Sequence, residues 1–176
     1  MEAARPRSTS LLIITGSMGS GKTAVMAEAS DILALRGIPH AAIDLDMLGF
    51  AHLPTGAEND DVMYRNLQAV AGNYVALGVD RFLLARAIEN HAELERCRAA
   101  VAATEVTVCR LTALVETMQQ RIGSRELGVC RGKYIERVTT LNDAPDRAQL
   151  ENFVVTNEGR PLTDVANEVL ERARWL

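Results

Sequence analysis

The stretch Gly16-Ser17-Met18-Gly19-Ser20-Gly21-Lys22-Thr23 restricts this chain more than any other. It follows a short apolar run, Leu11 to Ile14, and it precedes a helical pattern. Every fixed position of G-x-x-x-x-G-K-[ST] is matched. A polyphosphate needs several backbone N–H groups aimed at one point, and glycines let a chain wrap that tightly. Lys22 then supplies a point charge for the β- and γ-phosphates, and the Thr23 hydroxyl suits Mg²⁺. The helix that follows turns its positive end toward the anion. A glycine-rich turn arising by chance carries neither the strand before it nor the helix after it. Residues 16–23 are therefore read as a loop that holds a nucleotide.

Strand and helix signals alternate along the rest of the chain. Lys22 to Arg36 reads as a helix through Val25, Ala29, Ile32 and Leu33, with Gly37 as its stop. Ala41 to Leu45 is a second strand, and Met47 to Asn59, with Gly49, Pro54 and Gly56, a loop. Asn59 or Asp60 is placed to cap a long helix with Met63, Leu67, Val70, Tyr74 and Leu77 on its apolar side. Val79 to Ala85 gives a third strand, Asn90 to Ala103 a helix and Val106 to Leu111 a fourth strand. Leu114, Val115, Met118 and Ile122 share one face of a further helix, which Gly123 weakens. Residues 124–150 are charged and poorly periodic, and read as a mobile cover with short helical pieces. Asn152 to Thr156 is a fifth strand, and a last helix carries Val165, Val169 and Leu170, with Trp175 anchoring it. This order predicts an α/β fold with three layers, α/β/α, around a mostly parallel five-stranded sheet.

Length and charge limit the function classes. At 176 residues, 48% hydrophobic and 24% charged, the chain is expected to form one domain over 1–176, with 1–9 as a loose tail. Its net charge of −4 argues against a nucleic-acid or anionic-membrane partner. No run approaches the roughly 18 apolar residues of a membrane span. Cys97, Cys109 and Cys130 are widely spaced, and with no secretory signal they suggest reduced thiols and a cytoplasmic location. His40, His52 and His91 lack the spacing of a zinc site. A homodimer stays open.

A second acidic site is expected about twenty residues beyond Lys22, where Asp44-x-Asp46 ends the second strand. Ligands of open parallel sheets gather beyond the carboxyl ends of the strands, which points both carboxylates at the γ-phosphate region. Strand alternation would turn them to the same side. One is then available to orient Mg²⁺ or its waters, and the other to accept a proton from an incoming hydroxyl. Asp46-Met47-Leu48-Gly49 also fits the D-x-x-G of GTPases, but it follows the wrong strand for that role and no N-K-x-D occurs.

With the loop Gly-x-Met-Gly-Ser-Gly-Lys-Thr and the strand ending Asp-x-Asp, the chain resembles the nucleotide and shikimate kinase group, which includes shikimate, gluconate and adenylyl-sulfate kinases. The resemblance implies a P-loop NTPase fold, ATP and Mg²⁺ as cofactors, and a small-molecule hydroxyl as acceptor. It implies that Lys22 and Thr23 serve the donor, that Asp46 contacts the acceptor hydroxyl, and that Asp44 helps to organise Mg²⁺. It also implies that the closing Phe153-Val154-Val155-Thr156-Asn157-Glu158-Gly159, with Asn157, lines the adenine pocket.

Phosphoryl transfer calls for positive charge around the moving group, a task that suits Arg. Arg121 and Arg125 lie four apart, ahead of a charged stretch with Arg131, Lys133 and Arg137. The whole, at about 121–150, resembles the Arg-containing lid of the same kinases. On a helical wheel of about 100° per residue, Arg125 projects near the Met118/Ile122 side and Arg121 at its edge. Arg125 is the candidate catalytic arginine and Arg121 a nucleotide ligand. Arg86, at the end of the third strand, stands where shikimate kinase has a glycine-rich turn, and is a candidate for an anionic or polyhydroxyl acceptor. Arg65 is placed to join it. The leading reading is an ATP-dependent kinase acting on a hydroxyl. A nucleoside monophosphate kinase and a nucleotide-binding regulator without catalysis are the alternatives.

Overall fold

A computed structural model describes residues 8–54, 58–125, 128, 132 and 149–176. Its centre is β1 (Ser10–Gly16), whose burial is nearly complete. Around it stand β2 (Ala41–Asp44), β3 (Arg81–Ala85), β4 (Glu105–Thr112) and β5 (Phe153–Thr156), in the order β2-β3-β1-β4-β5. All four strand pairings are parallel. Helices α1 (Lys22–Leu35), α2 (Leu45–Leu48), α3 (Asn59–Ala76), α4 (His91–Ala100), α5 (Val115–Arg125) and α6 (Leu162–Arg172) lie between or after the strands.

The apolar runs of β1 and β3 are continuous because both faces of the sheet are covered. Leu12, Ile14, Leu83 and Ala85 pack on one side with Val25, Ala29 and Leu33 of α1, and with Val165 and Val169 of α6. Leu11, Ile13, Phe82 and Leu84 face the other side, against Met63 and Leu67 of α3 and Cys97 of α4. This is the P-loop NTPase three-layer arrangement. Leu12 has no exposed surface, so Leu12→Ala is expected to cost about 2–5 kcal/mol. Leu35, at 90% exposure, is the control, and Leu35→Ala should move stability by less than about 0.5 kcal/mol in the same urea titration.

Four expectations need correction. The 47–59 loop is preceded by the one-turn helix α2, which takes in Met47 and Leu48 and is capped by Asp44, whose Oδ1 accepts from the Asp46 amide at 3.1 Å. The N-cap of α3 is Glu58, with no side-chain cap; Asn59 instead donates to the Ala51 carbonyl. Tyr74 and Leu77 are 40% and 82% exposed rather than part of the core. The buried side of α3 instead runs through Met63, Tyr64, Leu67 and Ala71, and stops before its last turn. Finally, α5 continues through Gly123 to Arg125. The expected lid lies largely outside the described residues, as does the side chain of Arg125. Among the described residues, no helix is long and apolar enough to cross a membrane.

Candidate active site

The loop between β1 and α1 takes its shape from glycines. Gly19 and Gly21 have φ of +82° and +97°, and Gly21 is the left-handed N-cap of α1. Both are also closely packed. A Cβ on Gly19 would lie 2.7 Å from the Met118 carbonyl oxygen, and one on Gly21 would overlap Asn157 Nδ2. Gly21→Ala is therefore expected to strain the backbone by about 1–2 kcal/mol and to push Asn157 off the loop. A weaker nucleotide affinity, read by calorimetric titration, is the expected outcome. Lys22 Nζ donates to the Ser17 carbonyl at 3.2 Å, folding the side chain over the loop it serves.

Two further segments hold the loop from outside. Asn157, buried after β5, donates from Nδ2 to the Ser20 carbonyl at 2.8 Å, and its own amide donates to Thr112 at the end of β4. Arg121 of α5 donates to the carbonyls of Gly19, Ser20 and Asn157 at 3.3, 3.4 and 3.0 Å. Met118 and Ile122, one helical turn apart on α5, pack against Met18 in the loop. Arg121 is thus turned onto the loop backbone, where it ties the loop to the turn after β5. Glu158 completes this side by accepting from the Leu114 amide and the Thr117 hydroxyl at 3.1 and 2.9 Å. In the sequence Glu158 stands out only as part of the closing segment. Its partners are 41 to 44 residues away, and no local pattern announces them.

On the other side of the loop, Thr23 Oγ1 donates to Asp44 Oδ2 at 2.8 Å. This places a hydroxyl and a carboxylate together at the start of α1. Asp46 does not share a strand face with Asp44, as strand alternation would require. The strand stops at Asp44 and the one-turn helix α2 carries Asp46 onward. There Asp46 Oδ1 accepts a short hydrogen bond from Arg86 Nη1. Arg86 directly follows β3, its amide donating to Ile14 of β1 at 3.2 Å. Its Nη2 lies 3.5 Å from Asp60 Oδ1 in the first turn of α3. Burial pushes the Arg86 pKa down, but the hydrogen bond it donates to Asp46 and the charges of Asp46 and Asp60 outweigh this and hold it above the ordinary guanidinium value. From the sequence, Asp60 reads only as a cap. The run Asn59-Asp60-Asp61 is the only sequence signal, and it does not say which acid reaches Arg86.

Arg65 stands apart from this group. It is exposed on α3 and lines a groove of about 570 Å³ with Asp61, Tyr64, Gln68 and Arg96. Arg96 pairs with Asp61 at 2.5 Å and lies 4.1 Å over the Tyr64 ring. The thiols of Cys97 and Cys109 are buried, and burial pushes them up to about 11 and about 12, so neither is a ready nucleophile.

No protein-family model matches this chain, and no curated protein matches it either. Solved structures do. An APS kinase from Mycobacterium tuberculosis, in complex with AMPPNP and APS, is similar with a TM-score of 0.62 and 19% identity, over 95% of this chain and 98% of that one. A gluconokinase from Sinorhizobium meliloti has a TM-score of 0.59 at 19% identity, over 97% and 94%. A shikimate kinase from Acinetobacter baumannii, in complex with shikimate, has a TM-score of 0.56 at 16% identity, over 96% and 94%. At these identities the likeness establishes the fold, the one these small-molecule kinases share.

Proposed function

We propose that the chain is an ATP-dependent kinase that transfers the γ-phosphoryl group to a hydroxyl of a small molecule. The observation that carries this reading is that the Asp44 carboxylate accepts from both Thr23 and the Asp46 amide, while the Asp46 carboxylate accepts from Arg86. It joins the phosphate-binding loop to a second polar site, as a reaction between two bound substrates requires. The names of the structural neighbours, three of them kinases of small molecules, support it.

Residues 16–23 would hold the triphosphate, with Lys22 drawn from the Ser17 carbonyl to the β- and γ-phosphates. Thr23 and Asp44 offer the hard oxygen donors that suit Mg²⁺. When bound, that ion neutralises charge on the phosphate oxygens. Asp46 takes the proton of the acceptor hydroxyl while its oxygen bonds to the γ-phosphorus and the bond to the β–γ bridging oxygen breaks. Arg121 and Asn157 fix the loop and border the base. Arg125, on α5, is the candidate lid arginine.

Phosphorus NMR of the protein with Mg-ATP and a panel of sugars, polyols and nucleosides tests this. A new phosphate-ester resonance is expected, growing in step with ADP. Release of inorganic phosphate alone would contradict it.

A further inference from the structure

The acceptor side of the site carries a charge balance that narrows the substrate class. Arg86 faces two carboxylates, Asp46 and Asp60. Its side chain is 20% exposed, whereas theirs are 60% and 53% exposed. The cation therefore lies beneath and the carboxylates lie toward the solvent, leaving a net negative surface for an incoming molecule. Among the described residues, the neighbouring charges do not reverse this. Asp61 is paired with Arg96, whose guanidinium is also stacked on Tyr64. Glu93 turns to the Glu89 amide and Asn90 at the start of α4. Arg65 lies five residues beyond Asp60, which on a helix means about 7.5 Å farther along the axis and a rotation of about 140°.

An acceptor bearing a carboxylate or phosphate has two ways to reach Arg86. It can displace Asp46 or Asp60, leaving a carboxylate against its own charge, or it can take the remaining N–H donors of Arg86 beside both carboxylates. Each juxtaposes like charges in a partly desolvated site. An uncharged polyol meets no such penalty. Its hydroxyls donate to the exposed carboxylate oxygens, and Arg86 stays in place.

We propose that the acceptor is an uncharged polyhydroxyl molecule, of the sugar or polyol class, selected against sugar acids and phosphate esters by Asp60 and Asp46 around Arg86. The proposal rests on the kinase reading above. It makes Asp60 a specificity-determining residue.

The test measures phosphorylated product with Mg-ATP for pairs differing in charge: glucitol against gluconate, methyl glucoside against glucuronate, and adenosine against adenosine monophosphate. The uncharged member is expected to have the higher kcat/KM in every productive pair, by about tenfold or more. Asp60→Asn, which removes one of the two carboxylates, is expected to narrow that ratio by raising kcat/KM for the anionic member, whereas Asp60→Glu should preserve it. A ratio at or below one in the native protein overturns the inference and leaves the kinase reading standing. An unchanged ratio in Asp60→Asn overturns the role of Asp60. Consumption of ATP with no phosphorylated acceptor of either charge overturns the kinase reading itself.

Discussion

Lys22→Ala is expected to lower phosphoryl transfer by about 10²–10³-fold or more, the scale of losing one preorganised charge at a developing anion. The fold should survive. Lys22 opens α1, where Ala is a better helix former, and its ammonium is folded back onto the Ser17 carbonyl rather than spanning to the core. The thermal midpoint should therefore stay close to that of the native protein while product formation collapses. Lys22→Arg should not rescue it, because a planar fork does not replace a compact ammonium inside a loop this tight. Activity retained in Lys22→Ala would remove the loop from the chemistry altogether.

Asp46→Asn should reduce kcat by about 10²–10⁴-fold, the usual contribution of a positioned general base. Nucleotide affinity should hardly change, since the Thr23–Asp44 contact does not use the Asp46 side chain. The Asp46–Arg86 pair itself adds little stability, because the Asp46 side chain is 60% exposed and surface pairs are screened. A loss confined to turnover would assign Asp46 to the acceptor step. If Asp46→Asn turned over normally with a nucleoside monophosphate, the acceptor would be a phosphate rather than an alcohol, and Arg86 would have to act without its carboxylate partner.

The sheet was legible because its strands are buried on both faces and so appear as uninterrupted apolar runs, as in Leu11 to Ile14 and Phe82 to Leu84. The expected ends differed by a few residues where side chains rather than periodicity set the boundary. Asp44 stops β2 by capping α2, and the buried side of α3 ends before Tyr74, with Leu77 outside the core. The lid expectation, with Arg131, Lys133 and Arg137, falls outside the described residues. Of the two arginines expected on α5, Arg121 is turned to the loop carbonyls.

The shape of the loop at residues 16–23 was determined by sequence alone, because its cause is local: three glycines within eight residues, all at positive φ, let the backbone turn where other residues would be strained. The pairing of Asp46 with Arg86 and Asp60 was decided by the tertiary structure. These residues stand 40 and 26 positions apart in the two pairings, and they meet only because β3 lies between β2 and β1. That strand order delivers Arg86 beside the end of β2 and brings the first turn of α3 over it. Local propensity carries no information about which strands become neighbours, so the balance of charge around Arg86 emerges only when the sheet is assembled.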